Sequence, residues 1–165
     1  MAQHCLWCPG GGNKILEVDY DTYARGEAEL GWLNTSISLI VHEETDWNTF
    51  ALEVTRRIQS ELASRSAEVG HLKLLMTNST GQVISNATSI VETPTAQGSM
   101  GSDDGPLTLV LNARAHVEPD HLKSIVECSI AAVAGDAIEV FTLSLRSSSP
   151  AYPRPTHRID TVIQP

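Results

Sequence analysis

Two segments determine the fold: WLNTSISLIV, residues 32–41, and WNTFALEVTRRIQSEL, residues 47–62, which follows it after HEETD. Apolar and polar side chains alternate along the first part, which is the pattern of a half-buried strand. In the second part apolar residues recur at steps of three and four, which predicts an amphipathic helix. Thr45 or Asp46 supplies the side-chain oxygen that a helix N-cap requires.

The order of strand and helix recurs further along the chain. Residues 71–76 and 82–88 flank a turn that ends in glycine, which predicts a hairpin. An alternating strand over 107–114 precedes a second amphipathic helix over 119–133, and residues 138–145 form the last strand. We therefore predict an α+β, ferredoxin-like two-layer sandwich, a mainly antiparallel sheet of five strands with two helices on one face.

Composition divides the chain into three parts. Residues 1–31 are irregular and Gly-rich at their centre, and we interpret them as an N-terminal arm. Residues 32–146 form the ferredoxin-like domain, and the Pro-rich residues 147–165 form an extended tail. Within the domain, residues 92–106 are rich in Thr, Pro, Gly, Ser and Asp and predict a mobile loop.

The bulk composition excludes some classes of protein. The chain has 165 residues, enough for one hydrophobic core, with 41% hydrophobic and 19% charged residues. A net charge of −9 argues against a general nucleic-acid binder and against an anionic membrane surface. There is no signal-peptide pattern and no apolar run long enough to span a bilayer, so we expect a cytoplasmic protein.

The strongest local chemical signal is HCLWCPGG, which begins at His4. Cys5 and Cys8, two residues apart, have the spacing of half a zinc site, and His4 is a further candidate ligand. A tetrahedral site needs other ligands, such as His157, because Cys128 is predicted within a helix. A redox pair and a purely structural role are the alternatives.

Motifs for enzymatic chemistry are missing from the sequence. GGGNK, residues 10–14, departs from a phosphate-binding loop because asparagine precedes its lysine and no strand comes before it. Asp103 and Asp104 lie in a flexible segment, which does not position a catalytic carboxylate. We expect each histidine to be solvated or satisfied in the core. The sequence predicts a non-enzymatic protein without a certain cofactor.

Four segments carry a resemblance to a known family: GEAELGWLN at 26–34, EVGHLK at 68–73, LVLNAR at 109–114 and YPRPTHR at 152–158. Over residues 26–158 the chain resembles the C-terminal part of CobW-like GTP-binding proteins. That family couples a P-loop GTPase to a smaller α+β domain and is associated with metal handling and cobalamin biosynthesis. The family's GTP-binding residues and its Cys-x-Cys-Cys motif have no counterpart here, so no metal role is carried over to Cys5 or Cys8.

The resemblance implies an accessory domain that works through protein contacts, beside a separate GTPase or by self-association. The sheet face away from the helices, with Ser36, Ser38 and Ile40, would then be covered by the N-terminal arm, a second subunit or a partner. The alternative function is a zinc-binding protein that uses His4 and its neighbouring cysteines.

Overall fold

The structure, a computed structural model, describes residues 30–41, 44–101 and 105–150. The elements follow in the order β1 (Gly31–Val41), α1 (Trp47–Ser64), β2 (Val69–Asn78), β3 (Gly81–Ala87), β4 (Thr95–Ser99), β5 (Leu107–Ala115), α2 (Pro119–Ala134) and β6 (Ile138–Ser148). The described residues thus form an α+β fold, as the sequence predicts.

The six strands form one sheet in the order β4-β3-β2-β5-β1-β6. All neighbouring strands are antiparallel. The predicted hairpin is confirmed, because Asn78 at the end of β2 pairs with Gly81 at the start of β3. The side-chain oxygen of Asn78 accepts hydrogen bonds from the backbone N–H of Thr80 at 2.9 Å and of Gly81 at 3.2 Å, which stabilises this turn.

Both helices lie on one face of the sheet. Helix α1 contacts β2, β3 and β4, helix α2 contacts β1 and β6, and the two helices contact each other. On β5, Leu109 and Leu111 are both 0% exposed, whereas Val110 between them is half-buried on the other face. Burial of these alternating apolar side chains beneath the helices is the main force that holds the two layers together.

The two helices begin where their sequences predict. Asp46 is the N-cap of α1, and Pro119 is the first residue of α2. The ring of Trp47 packs edge-on against Phe50, with 5.7 Å between the ring centres, and both side chains are buried. Among the described residues, no helix has the length and apolar character needed to cross a membrane.

Removal of the Asp46 carboxylate is expected to destabilise the protein and to change its acid sensitivity. Asp46 Oδ1 accepts from the backbone N–H of Asn48 at 3.0 Å and of Thr49 at 3.2 Å, and Oδ2 accepts from the Thr49 hydroxyl at 2.7 Å. The hydroxyl of Thr49 and the two N–H groups lower the pKa of Asp46 below 3.8. Its stabilising effect is therefore complete above that value and is lost as the pH falls through the lower pKa of the folded protein.

Thermal melts as a function of pH separate the two roles of this carboxylate. Asp46→Ala should lower the melting temperature at pH 7, because the first turn of α1 loses its cap. Asp46→Asn keeps a capping oxygen and should melt close to wild type at pH 7, but without the share of acid sensitivity that comes from Asp46. If Asp46→Ala and wild type had the same melting temperature at neutral pH, the cap would not contribute to the stability of the protein.

The loop prediction for residues 92–106 is wrong at β4, and the part of the chain that the structure describes forms a sheet of six strands instead of five. Strand β4 is polar and lacks alternation, but its backbone pairs with β3 from Asn86 to Gln82. The segment before it is anchored too, since Gln59 Nε2 donates to the carbonyl oxygens of Ser89 at 2.6 Å and Glu92 at 3.0 Å. Backbone pairing at a sheet edge needs no apolar pattern, and this is why the sequence did not indicate β4.

Candidate functional site

The predicted metal ligands lie outside the described residues. His4, Cys5 and Cys8 all precede residue 30, and the zinc site stays a prediction. Residues 30–41, 44–101 and 105–150 contain no group of three or more His, Cys, Asp or Glu side chains placed to hold a metal ion. Cys128 is an exposed free thiol on α2.

The sheet face away from the helices, which we call the open face, carries side chains in cross-strand rows. One row runs from Trp32 on β1 to Arg114 on β5 and His71 on β2. Residues that lie directly opposite in antiparallel strands share a face and are in reach of one another. The open face therefore brings together three side chains that lie far apart in the sequence.

A pocket of about 100 Å³ lies at this row. The Arg114 guanidinium stacks on the Trp32 ring, with its central carbon 3.8 Å from the ring centre. Asn34 and Asn112, opposite each other on β1 and β5, line the pocket together with His71. The pocket is lined by one aromatic ring, by four nitrogen-bearing side chains, and by Leu33 and Ala113.

Two polar atoms at this row have no partner. Trp32 Nε1 and His71 Nε2 are shielded from solvent and form no hydrogen bond within the structure. Burial lowers the pKa of His71, and the positive charges of Lys73 and Arg114 lower it further, which favours the neutral ring. This differs from the expectation that each histidine is solvated or satisfied, and a buried polar group without a partner is costly.

Positive charge is concentrated around the pocket. The row next to it runs from Arg146 on β6 through Asn34 and Asn112 to Lys73. We call the side chains of the two rows the basic strip: Trp32, Arg114, His71, Arg146, Asn34, Asn112 and Lys73. The strip contains three basic side chains and no carboxylate, although the whole chain has a net charge of −9. The strip is therefore locally basic although the chain is acidic.

A second cavity, of about 240 Å³, lies in the groove between the two helices. Its polar lining includes Arg65, whose guanidinium is already bound to Glu61 at 2.6 Å. His121 and Cys128 also line it, but they are seven residues apart on α2, which separates them by about 10 Å along the helix axis. The groove therefore contains no cysteine–histidine pair of the kind that activates a thiol nucleophile.

The two edges of the sheet differ in how they meet solvent. Edge strand β4 has five residues, is polar, and contains Gly98 at a φ of +88°. Edge strand β6 has eleven residues, and its Phe141 and Leu143 are 47% and 63% exposed. Short polar edges resist pairing with other chains, whereas long apolar edges favour it.

A bulge shapes the β6 edge. Ser144 lies opposite Ser36 and Thr142 lies opposite Ile37, so Leu143 has no counterpart on β1. The buried hydroxyl of Thr35 donates to the Ser144 carbonyl oxygen at 2.9 Å, which fixes the backbone at the bulge. The exposed side chain of Leu143 is thus held on a defined piece of backbone.

Comparison of the chain with models of known protein families, with curated proteins and with solved structures finds no match. The sequence alone does not predict the pocket around Trp32 and Arg114. Alternation places both residues on the polar side of their strands, and this was the available signal. Which strands are neighbours, and in which register, is not contained in that signal.

Proposed function

We propose that this chain is a non-enzymatic accessory domain that acts through protein contacts and pairs its β6 edge with a second copy of itself. The observation that carries the proposal is the contrast between the two sheet edges. Antiparallel pairing of β6 with its copy would join two sheets and satisfy the outward backbone groups of both strands. It would also bury Phe141 and Leu143, which are exposed in the single chain.

The β6 strand is suited to pair with itself. Glu139 and Arg146 lie opposite Ile40 and Asn34 of β1, so both are on the open face, one near each end of β6. In a regular strand, residues on the same face are an even number of positions apart. Glu139 and Arg146 are an odd number apart and still share a face, because Leu143 is the extra residue of the bulge. An antiparallel pair centred on the bulge places Glu139 of each copy opposite the partner's Arg146, which forms two ion pairs.

Lysines on the β6 edge are expected to prevent self-association. Phe141→Lys/Leu143→Lys removes the exposed apolar side chains and gathers four positive charges near the centre of the paired strands. The dimer dissociation constant should rise more than about tenfold, which corresponds to about 1.4 kcal/mol. Sedimentation velocity over a wide range of protein concentration measures it.

Val91→Lys is the matched control for this experiment. Val91 is 88% exposed but lies outside the strands, so the same kind of substitution there should leave the dissociation constant unchanged. A wild-type chain that stays monomeric at high concentration would contradict the proposal. Equal effects of the edge variant and of Val91→Lys would also contradict it.

We further propose that the fold is of the ferredoxin-like type and that the chain works beside a separate GTPase in metal or cobalamin handling. The strand order β6-β1-β5-β2 with its two helices supports the first part, since β3 and β4 then extend one edge of a four-stranded arrangement. The resemblance to the C-terminal part of CobW-like proteins supports the second. Co-purification of a P-loop GTPase with this chain would support the second part, and its absence would contradict it.

A further inference from the structure

We propose that the pocket between Trp32, Arg114 and His71 binds a carboxylate, and that its occupant is the chain's own acidic segment, residues 17–29. This site lies on the open face and is independent of the pairing of β6. Three properties of the basic strip identify the class of ligand, and the position of the segment identifies its source.

The first property is that the pocket offers hydrogen-bond donors that lack acceptors. Trp32 Nε1 is a donor only, and it is buried without a partner. Arg114 forms no hydrogen bond or ion pair with any described residue, and stacking on Trp32 occupies only the flat side of its guanidinium. No described residue occupies the N–H groups around the guanidinium edge, and two of them match the two oxygens of a carboxylate.

The second property is charge. Arg114, Lys73 and Arg146 lie in two neighbouring rows without a carboxylate among them. Like charges that are gathered on one face repel each other. Binding of an anion relieves this repulsion and so lowers the free energy of the folded protein. An anionic group is therefore the ligand that this strip favours.

The third property is size. A pocket of about 100 Å³ is large enough for a carboxylate group with one or two carbons. The amide nitrogens of Asn34 and Asn112 at the same pocket give further donors for its oxygens. The side chain of a glutamate or aspartate fits these limits.

The chain has an acidic segment that joins the described structure at this place. Residues 17–29, EVDYDTYARGEAE, contain five carboxylates and one arginine. They lead directly into Leu30, which lies against Gly70. A Cβ atom built on Gly70 would be 3.9 Å from Leu30 Cδ1, and Gly70 is the residue before His71. The segment therefore ends beside the pocket, and such a short tether gives its carboxylates a high effective concentration there.

Nuclear magnetic resonance on the full chain at pH 7 tests the site. The indole N–H signal of Trp32, identified by its loss in Trp32→Phe, reports whether the donor is bound. Neutralisation of the segment by Glu17→Gln, Asp19→Asn, Asp21→Asn, Glu27→Gln and Glu29→Gln should move this signal. Sodium acetate should then bind the neutralised variant at least about tenfold more tightly than wild type, since the tethered competitor is gone.

Two controls separate this effect from a general change in charge and from adventitious binding. Glu53→Gln/Glu127→Gln neutralises exposed helix carboxylates and should leave the Trp32 signal in place. Arg114→Lys keeps the charge but loses the planar donors, and it should abolish the acetate response of the neutralised variant. Acetate that binds wild type and the neutralised variant equally would overturn the segment as occupant. A Trp32 signal that responds to neither change would overturn the site.

Discussion

Leu111→Ala is expected to lower the free energy of unfolding by about 2–5 kcal/mol. Leu111 is 0% exposed and lies opposite Thr35 of β1 and Leu74 of β2 in the middle of the sheet. Its side chain fills the layer between sheet and helices, where neighbouring strands hold the backbone in place and prevent collapse around a cavity. Urea denaturation at one fixed protein concentration measures the loss.

Val110→Ala is the matched control, because Val110 is the preceding residue on the same strand. It lies opposite Ser36 and Leu75 on the open face and is half-buried. We expect its truncation to cost less than about 1 kcal/mol. Equal losses at Val110 and Leu111 would mean that both faces of the sheet are covered to the same extent, which contradicts the one-sided packing of the helices.

Thr55→Val is expected to cost about 1–3 kcal/mol, although valine has nearly the same shape. Thr55 on α1 and Ser85 on β3 are both 0% exposed, with 2.9 Å between their hydroxyl oxygens. The Thr55 hydroxyl donates to the Ala51 carbonyl oxygen at 2.8 Å, so it accepts from Ser85. Valine leaves the Ser85 hydroxyl buried without an acceptor.

The Ser85→Ala variant should be less damaging, because Thr55 keeps its bond to Ala51. The double variant Thr55→Val/Ser85→Ala removes both hydroxyls and leaves no buried donor unsatisfied. Its loss in unfolding free energy should be smaller than the sum of the single losses, by on the order of 1 kcal/mol. Strictly additive losses would show that the two hydroxyls do not depend on each other.

The sequence is most informative where one face of an element is buried. The helix predicted over 47–62 extends from Trp47 to Ser64, and the second helix begins at Pro119 as expected. Alternation also identified the strands that bury one face, because a buried face demands apolar residues at every second position. These elements account for nearly all of the core.

The sequence is less informative where backbone pairing or strand register determines the structure. Strand β4 is held by backbone pairing with β3, and its residues carry no apolar pattern. The bulge at Leu143 depends on a hydroxyl from Thr35, which is remote in sequence. The pocket depends on β1 lying beside β5, so that Trp32 meets Arg114. Such long-range pairing is a property of the whole sheet and is not written in any one segment.

Detection of contacts between two copies of β6 tests self-pairing at the β6 edge most directly. A sample that mixes isotope-labelled and unlabelled chains reports only contacts between different molecules. We predict intermolecular signals between Glu139 of one copy and Arg146 of the other, together with signals from Phe141 and Leu143. Intermolecular signals confined to the helices or to β4, or none at concentrations where the chain is dimeric, would contradict pairing at the β6 edge.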